Sequence, residues 1–315
     1  MVRHPLDGWV MVICNPVSGS GQGRLLLEKV ERALSKAGVT YRSEITTGRR
    51  DATRLARSAL LAGCSSLVAI GGDGTLFETI NGSMPRAGET NIRSSEVAVG
   101  LVQAGRGSDF GRSAGIPSDV DAACERLVEG STTLIDLGHV TYTTMRGEER
   151  QAYFANAAGM GFDAEATVRA NAAPHLMGGT VPYLSSLFST LVTYHNKRME
   201  VSFEGGKARR GRANSIVVAN GQFFGGGMKI APDARLSDGL FDVVTLGNFS
   251  KMELVRNIPR VYTGSHIEHP LVSVTRAGYL TVRSPDRLLL QADGEVLGKS
   301  PATFRVVPQA LRLIA

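Results

Sequence analysis

The pentapeptide Gly71-Gly72-Asp73-Gly74-Thr75 sets a carboxylate among three glycines, between an apolar run at residues 66–70 and a helix-like run at 76–81. Glycines at a strand-to-helix turn let the backbone approach a ligand closely and point amide N–H groups at it. The N-terminus of the following helix carries about half a positive charge, which favours an anion. Asp73 alone would repel phosphate. A divalent cation between the two removes the conflict, so the residues point to a metal–nucleotide complex. No Lys-Ser/Thr pair closes the loop, so this is not the Walker pattern.

Further segments carry chemistry. Asn15-Pro16-Val17-Ser18-Gly19 follows the first apolar strand, where open α/β sheets hold ligand loops, although the same residues suit a plain turn. Gly105-Arg106-Gly107-Ser108-Asp109-Phe110 follows another buried strand; Arg106 could pair with phosphate and Asp109 could hold metal or order its water. In Gln291-Ala292-Asp293-Gly294-Glu295 two carboxylates flank a glycine. They form either an exposed turn or a general base, presented by a second domain across a cleft to an acceptor hydroxyl. Asp238, in Ser237-Asp238-Gly239, together with nearby carbonyls suits a hard cation, or again a turn.

The elements around these loops fall into two patterns. Strand signals at residues 9–14, 40–46, 66–70 and 97–102 alternate with helix signals at 25–37, 51–62 and 122–128, the last opened by Ser118 and Asp121. Such alternation predicts a parallel sheet flanked by helices, an α/β nucleotide-binding domain over residues 1–134. Residues 135–307 read as mainly antiparallel β. A hairpin at 135–144 and 151–157 turns around Arg146 and Glu149, and strands follow at 199–203, 215–220, 241–246, 272–282, 287–292 and 302–307. Helices are expected there at 162–170, 183–195 and 251–261. By pattern alone, residues 310–314 could close either domain.

The length of 315 residues suggests two domains, and 43% hydrophobic with 20% charged residues is ordinary globular composition. A net charge of +6 makes a nucleotide, nucleic acid or acidic lipid a plausible partner, but few aromatics accompany the basic residues, which argues against nucleic acid. Cys14, Cys64 and Cys124 are odd in number and form no CxxC pair, so reduced, buried thiols and a cytoplasmic setting are expected. The first residues carry acid and proline rather than a signal-peptide core. No apolar run approaches about 18 residues, so a soluble protein with at most peripheral membrane contact is expected.

Taken in order, these segments resemble the diacylglycerol kinase catalytic-domain family of soluble lipid kinases, which includes sphingosine kinases and YegS-like enzymes. The matching residues are Asn15-Pro16, Ser18-Gly19, the 71–75 loop with Glu78 and Asn81, residues 105–110, Asn156, Gly159, Gly161-Phe162, Asn220-Gly221, Gly225-Gly226-Gly227, residues 237–240 and Asp293-Gly294-Glu295. The resemblance implies a β-sandwich-like second domain, with residues 308–315 returning to the first. It implies ATP contacts from Asn15, Pro16, Ser18, Gly19, Thr46, Gly71, Gly72, Asp73, Gly74, Thr75, Leu76 and Phe77. It puts a structural Mg2+ on Asp238 and the main-chain oxygens of Arg235 and Leu240. It makes Glu295 the proton acceptor with Asp293 beside it, leaving open which carboxylate is the base. The third loop departs from the family pattern: Arg106 stands where a nucleotide-contacting Thr is usual, and Ser108 where an amide is usual.

The implied activity is transfer of the γ-phosphoryl group of ATP to a lipid alcohol such as diacylglycerol. A nicotinamide-dinucleotide kinase with a soluble substrate and a non-catalytic nucleotide-binding regulator are the alternatives. Residues 183–192 could line an apolar groove or simply pack in the core. Lys197, Arg198, Lys207, Arg209, Arg210 and Arg212 could meet an anionic membrane or form a solvated face. A homodimer is compatible with the sequence.

Overall fold

A computed structural model describes residues 4–85, 96–104, 108–172 and 189–315. The chain divides into two compact units, Met1–Asp136 with Pro308–Ala315, and Leu137–Val307.

In unit 1, β1 (Trp9–Cys14) is flanked by β2 (Thr40–Ile45) and β3 (Ser66–Gly71), and β3 pairs with β4 (Ala98–Gln103), all parallel. The end of the last strand, β15 (Glu295–Ile314), adds a fifth parallel partner beside β4 through Arg312, Leu313 and Ile314. β3 and β4 are buried at every position, as strands covered on both faces must be. Val10, Val12 and Cys14 meet Leu26, Leu27, Val30 and Leu34 of α2 (Gly23–Lys36), and Cys124 and Leu127 of α6 (Val120–Glu129), in one apolar core. Asp119, not Ser118, caps α6, accepting the Ala122 N–H at 2.9 Å. α3 (Asp51–Leu61) and α4 (Asp73–Ser83) pack closely at Gly82, where a Cβ would lie 2.6 Å from the Thr53 carbonyl oxygen. Residues 18–21, expected as loop, make a helical turn, α1 (Ser18–Gly21), with Gly19 and Ser20 left-handed. The three cysteines are free and buried.

Unit 2 is antiparallel. One run of strands is β12 (Val272–Ala277), β11 (Phe241–Leu246), β10 (Ser215–Ala219), β7 (Ala157–Gly161), β14 (Leu289–Ala292) and β15. β15 then pairs through residues 302–305 with β13 (Tyr279–Arg283), which pairs with β8 (Lys197–Phe203) and so with β9 (Arg209–Ala213). The expected strand at 272–282 is therefore two strands with different partners, broken at Gly278. β5 (Thr132–Thr143) and β6 (Glu149–Phe154) make the expected hairpin. Phe154 stacks on Phe241 and meets Phe304 edge-on at the centre of this unit. α7 (Phe162–Ala172) follows β7 directly, and α8 (Lys251–Thr263) opens with a Ser250–Glu253 capping box. Of the helix expected at 183–195, residues 183–188 lie outside the described residues; 189–193 are helical.

Candidate active site

In unit 1 the ends of β1 and β3 hold two loops together. The Asn15 N–H donates to the Ile70 carbonyl at 2.9 Å, and its side-chain amide donates to Thr75 Oγ1 at 3.3 Å, while its Oδ1 accepts the Val17 N–H. Two glycines make this approach possible. A Cβ on Gly23 would lie 2.2 Å from the Asn15 carbonyl oxygen, and one on Gly71 would lie 2.3 Å from Thr75 Oγ1. The Thr46 N–H continues the β1–β2 pairing onto the Cys14 carbonyl, placing Thr46 beside Asn15 at the same sheet edge. Leu76 and Phe77 are buried in α4, so any nucleotide contact from them would have to come from the main chain.

Asp73 faces α5 (Asp109–Ser113). Its Oδ1 accepts the Ser108 hydroxyl at 2.6 Å and the Phe110 N–H at 3.4 Å, and its Oδ2 accepts the Asp109 N–H at 3.0 Å. Burial pushes the Asp73 carboxyl up from its ordinary value, against the pull of these hydrogen bonds and the Arg112 charge. Most of the carboxylate's acceptor capacity is thus committed to joining the second loop to the third. Ser108 also caps α5 by accepting the Gly111 N–H at 2.9 Å. Glu78, one turn further along α4, accepts the Arg50 and Ala52 N–H groups at the start of α3. Arg106 lies outside the described residues.

In unit 2, Asp293 and Gly294 form the turn between β14 and β15, with φ of 46° and 81°, and Ala292 pairs with Glu295. Consecutive left-handed residues are what a type I′ hairpin demands, and Asp-Gly supplies them. The Asp293 carboxylate accepts three successive main-chain N–H groups: Ala155 at 2.8 Å, Asn156 at 3.1 Å and Ala157 at 3.0 Å. It is 8% exposed, whereas Glu295 is half-buried with solvent access. Asn156 and Asn220 reinforce this support, donating to the Phe223 and Ala155 carbonyls, each at 2.7 Å.

Asp163, which the sequence reading did not single out, completes the network. It accepts from the Ser215 hydroxyl and from Gln291 Nε2 at 3.3 Å, and Gln291 Oε1 in turn accepts the Gly294 N–H at 3.0 Å. Burial raises the Asp163 pKa. A Cβ on Gly159 would run into Asp163 Oδ2, so glycine is required there. Asp163 also lines a cavity of about 190 Å³ whose other walls are almost wholly apolar, among them Val217, Phe224, Ile230, Leu254 and Ile258. His266, 1% exposed, is one of its few polar walls; its Nε2 bonds the Ile230 carbonyl at 3.1 Å.

Asp238 lies in a separate acidic group. Its Oδ1 accepts the Leu240 N–H at 3.1 Å and its Oδ2 pairs with Arg276. Buried Asp242 is raised in pKa by desolvation, with Arg276 opposing and Asp238 and Asp233 adding to the rise; its Oδ2 has no hydrogen-bond partner. Such excess negative charge fits a hard cation. Among the described residues no cluster of three or more metal-ligating side chains forms, so a cation would rest on Asp238 and main-chain oxygens such as those of Arg235 and Leu240. Asp73 belongs to unit 1, and Asp293, Glu295, Arg235, Asp238 and Leu240 to unit 2.

Residues 9–140 match the diacylglycerol kinase catalytic domain, and residues 156–315 match the YegS C-terminal NAD kinase beta sandwich-like domain. The chain is similar to the diacylglycerol kinase of Bacillus subtilis (strain 168), 30% identical over 294 residues and covering 93% of this chain and 91% of that one. To the diacylglycerol kinase of Mycobacterium tuberculosis it is 28% identical over 315 residues, 99% and 96% of the two chains. In fold it is similar to a crystal structure of a diacylglycerol kinase from Bacillus anthracis str. Sterne, with a TM-score of 0.72 and 18% identity over 98% of this chain and 96% of that one.

Proposed function

The chain belongs to the diacylglycerol kinase family, and from that premise we propose that it transfers the γ-phosphoryl group of ATP to a hydroxyl of a lipid alcohol such as diacylglycerol. The observation that carries the lipid acceptor is the apolar cavity: its Asp163 wall is hydrogen-bonded through Gln291 to the turn that bears Glu295. A soluble dinucleotide would gain little from walls such as Val217, Phe224 and Ile258, whereas an acyl chain gains about 0.8 kcal/mol for each CH2 it buries there.

Unit 1 supplies the donor side. Asn15, Pro16, Ser18, Gly19, Thr46 and Gly71 to Phe77 hold the nucleotide, chiefly through main-chain N–H groups at the start of α4, and Arg106 adds a charge to the phosphates. Mg2+ neutralises phosphate charge during transfer when bound. Asp73 keeps the third loop against the second, so the phosphate cradle keeps one shape.

Unit 2 supplies the acceptor side. Glu295 takes the acceptor hydroxyl proton as the new O–P bond forms and the bond from the γ-phosphorus to ADP breaks. Asp293, whose oxygens already accept three N–H groups, holds the turn that aims Glu295. Asp238 with the Arg235 and Leu240 carbonyls would hold a structural Mg2+. The setting is the cytoplasmic face of a membrane, where the protein binds peripherally.

The test is transfer from γ-labelled ATP across a panel of lipid alcohols and a nicotinamide dinucleotide. Label in the chloroform phase supports the proposal. Label confined to the aqueous phase supports a soluble acceptor, and no transfer supports a non-catalytic regulator.

A further inference from the structure

The basic hairpin β8–β9 offers less free charge than its sequence suggests. Arg198 pairs with Asp286 at 2.5 Å and Arg210 with Glu200 at 2.6 Å, while Arg209 lies over the Phe203 ring and Arg212 donates to the Asn196 carbonyl. Among the described residues, an unpartnered surface lies instead on α8. This helix of 13 residues has no buried residue. Leu254, Asn257, Ile258 and Val261 line the apolar cavity, at the one-turn spacing of a single helix face. The other side carries Met252 and Val255, exposed at 60% and 39%, while Tyr262, 40% exposed, is itself one of the cavity walls. Beside them stand Arg256 and Arg260, which with Lys251 are exposed and form no ion pair among the described residues. The helix's one acid, Glu253, is occupied in the capping box with Ser250. Lys251 donates to the Val192 carbonyl, which brings a further exposed apolar side chain, Val192 at 69%, to the start of α8.

We infer that the outer face of α8, with Val192 beside it, is the surface that docks on an anionic lipid bilayer. An apolar arc flanked by arginines is the pattern of a helix lying in a membrane interface, with the apolar side chains among the acyl chains and the guanidinium groups at the phosphates. The cavity directly under the same helix gives the docked protein a largely apolar compartment one helix thickness from the bilayer. The inference rests on the lipid-acceptor reading for its purpose, but not for its test, since vesicle binding is measured without ATP or turnover.

The experiment is co-sedimentation with phosphatidylcholine vesicles, with and without phosphatidylglycerol. The wild-type protein binds the anionic vesicles preferentially. The Met252→Glu/Val255→Glu double variant binds them on the order of tenfold more weakly, with an unchanged unfolding midpoint and unchanged transfer to an acceptor supplied in detergent micelles. Arg256→Glu/Arg260→Glu loses the preference for anionic over neutral vesicles. Wild-type binding by the Met252/Val255 variant overturns the inference. So does loss that follows Lys207→Glu/Arg209→Glu instead, or a change of oligomeric state in the α8 variant with vesicle binding intact. Vesicle binding that holds in a protein without lipid kinase activity would leave this surface standing while removing the kinase reading.

Discussion

Ser108 donates its hydroxyl to Asp73 at 2.6 Å while the same oxygen accepts the Gly111 N–H at 2.9 Å, so one side chain both caps α5 and locks the third loop to the second. Ser108→Ala removes both bonds and leaves a charged acceptor short of a donor. The expected cost is about 1–3 kcal/mol of stability, with a raised KM for ATP and a smaller change in kcat. Denaturant unfolding and steady-state kinetics measure the two effects.

Asp293→Asn replaces an oxygen that accepts main-chain N–H groups with an NH2 group that faces one of them. The fold should lose about 1–3 kcal/mol, and the 293–295 turn should become susceptible to hydrogen exchange at residues 155–157. An unchanged exchange rate at those amides would show that the carboxylate does not hold the turn.

Gly23→Ala tests the close approach at the first loop. Its Cβ would meet the Asn15 carbonyl oxygen, a main-chain atom that cannot rotate away. The loop must move, at about 1–3 kcal/mol, and ATP should bind more weakly while lipid binding stays as it was. Equilibrium binding of each substrate separates the two.

Burial lowers the His266 pKa below its ordinary 6.5, against the hydrogen bond to the Ile230 carbonyl. The unfolded chain therefore binds a proton that the folded chain refuses. The stability contributed by the neutral ring is complete above pH 6.5 and is lost as pH falls through the folded value. In His266→Gln this dependence should vanish, so the difference in unfolding midpoint between the two proteins should shift in the variant's favour as the buffer is acidified below 6.5.

The parallel sheet of unit 1 was legible because its signals are local: apolar runs at 66–70 and 97–102, glycines after them, and helices between. The turn at 293–294 was legible for the same reason, since Asp-Gly carries its backbone conformation in its residue types. What escaped depends on partners distant in sequence. Residues 272–282 look like one strand until β11 claims the first half, and β8 and β15 the second. Residues 295–314 looked like separate pieces because the strand changes partners along its length. Asp163 escaped because an acid in the first turn of a helix is unremarkable; its bonds to Ser215 and Gln291 join residues 52 and 128 positions apart. Asp293 and Glu295 are indistinguishable as sequence, and the three N–H groups converging on Asp293 become visible only once residues 155–157 are folded against the turn.

The most direct measurement is Glu295→Gln against the wild-type protein, with γ-labelled ATP, Mg2+ and diacylglycerol, reading ATP affinity and chloroform-extractable label in parallel. The account predicts unchanged ATP affinity and transfer lowered by about 10²–10⁴-fold. Wild-type transfer by Glu295→Gln would contradict it.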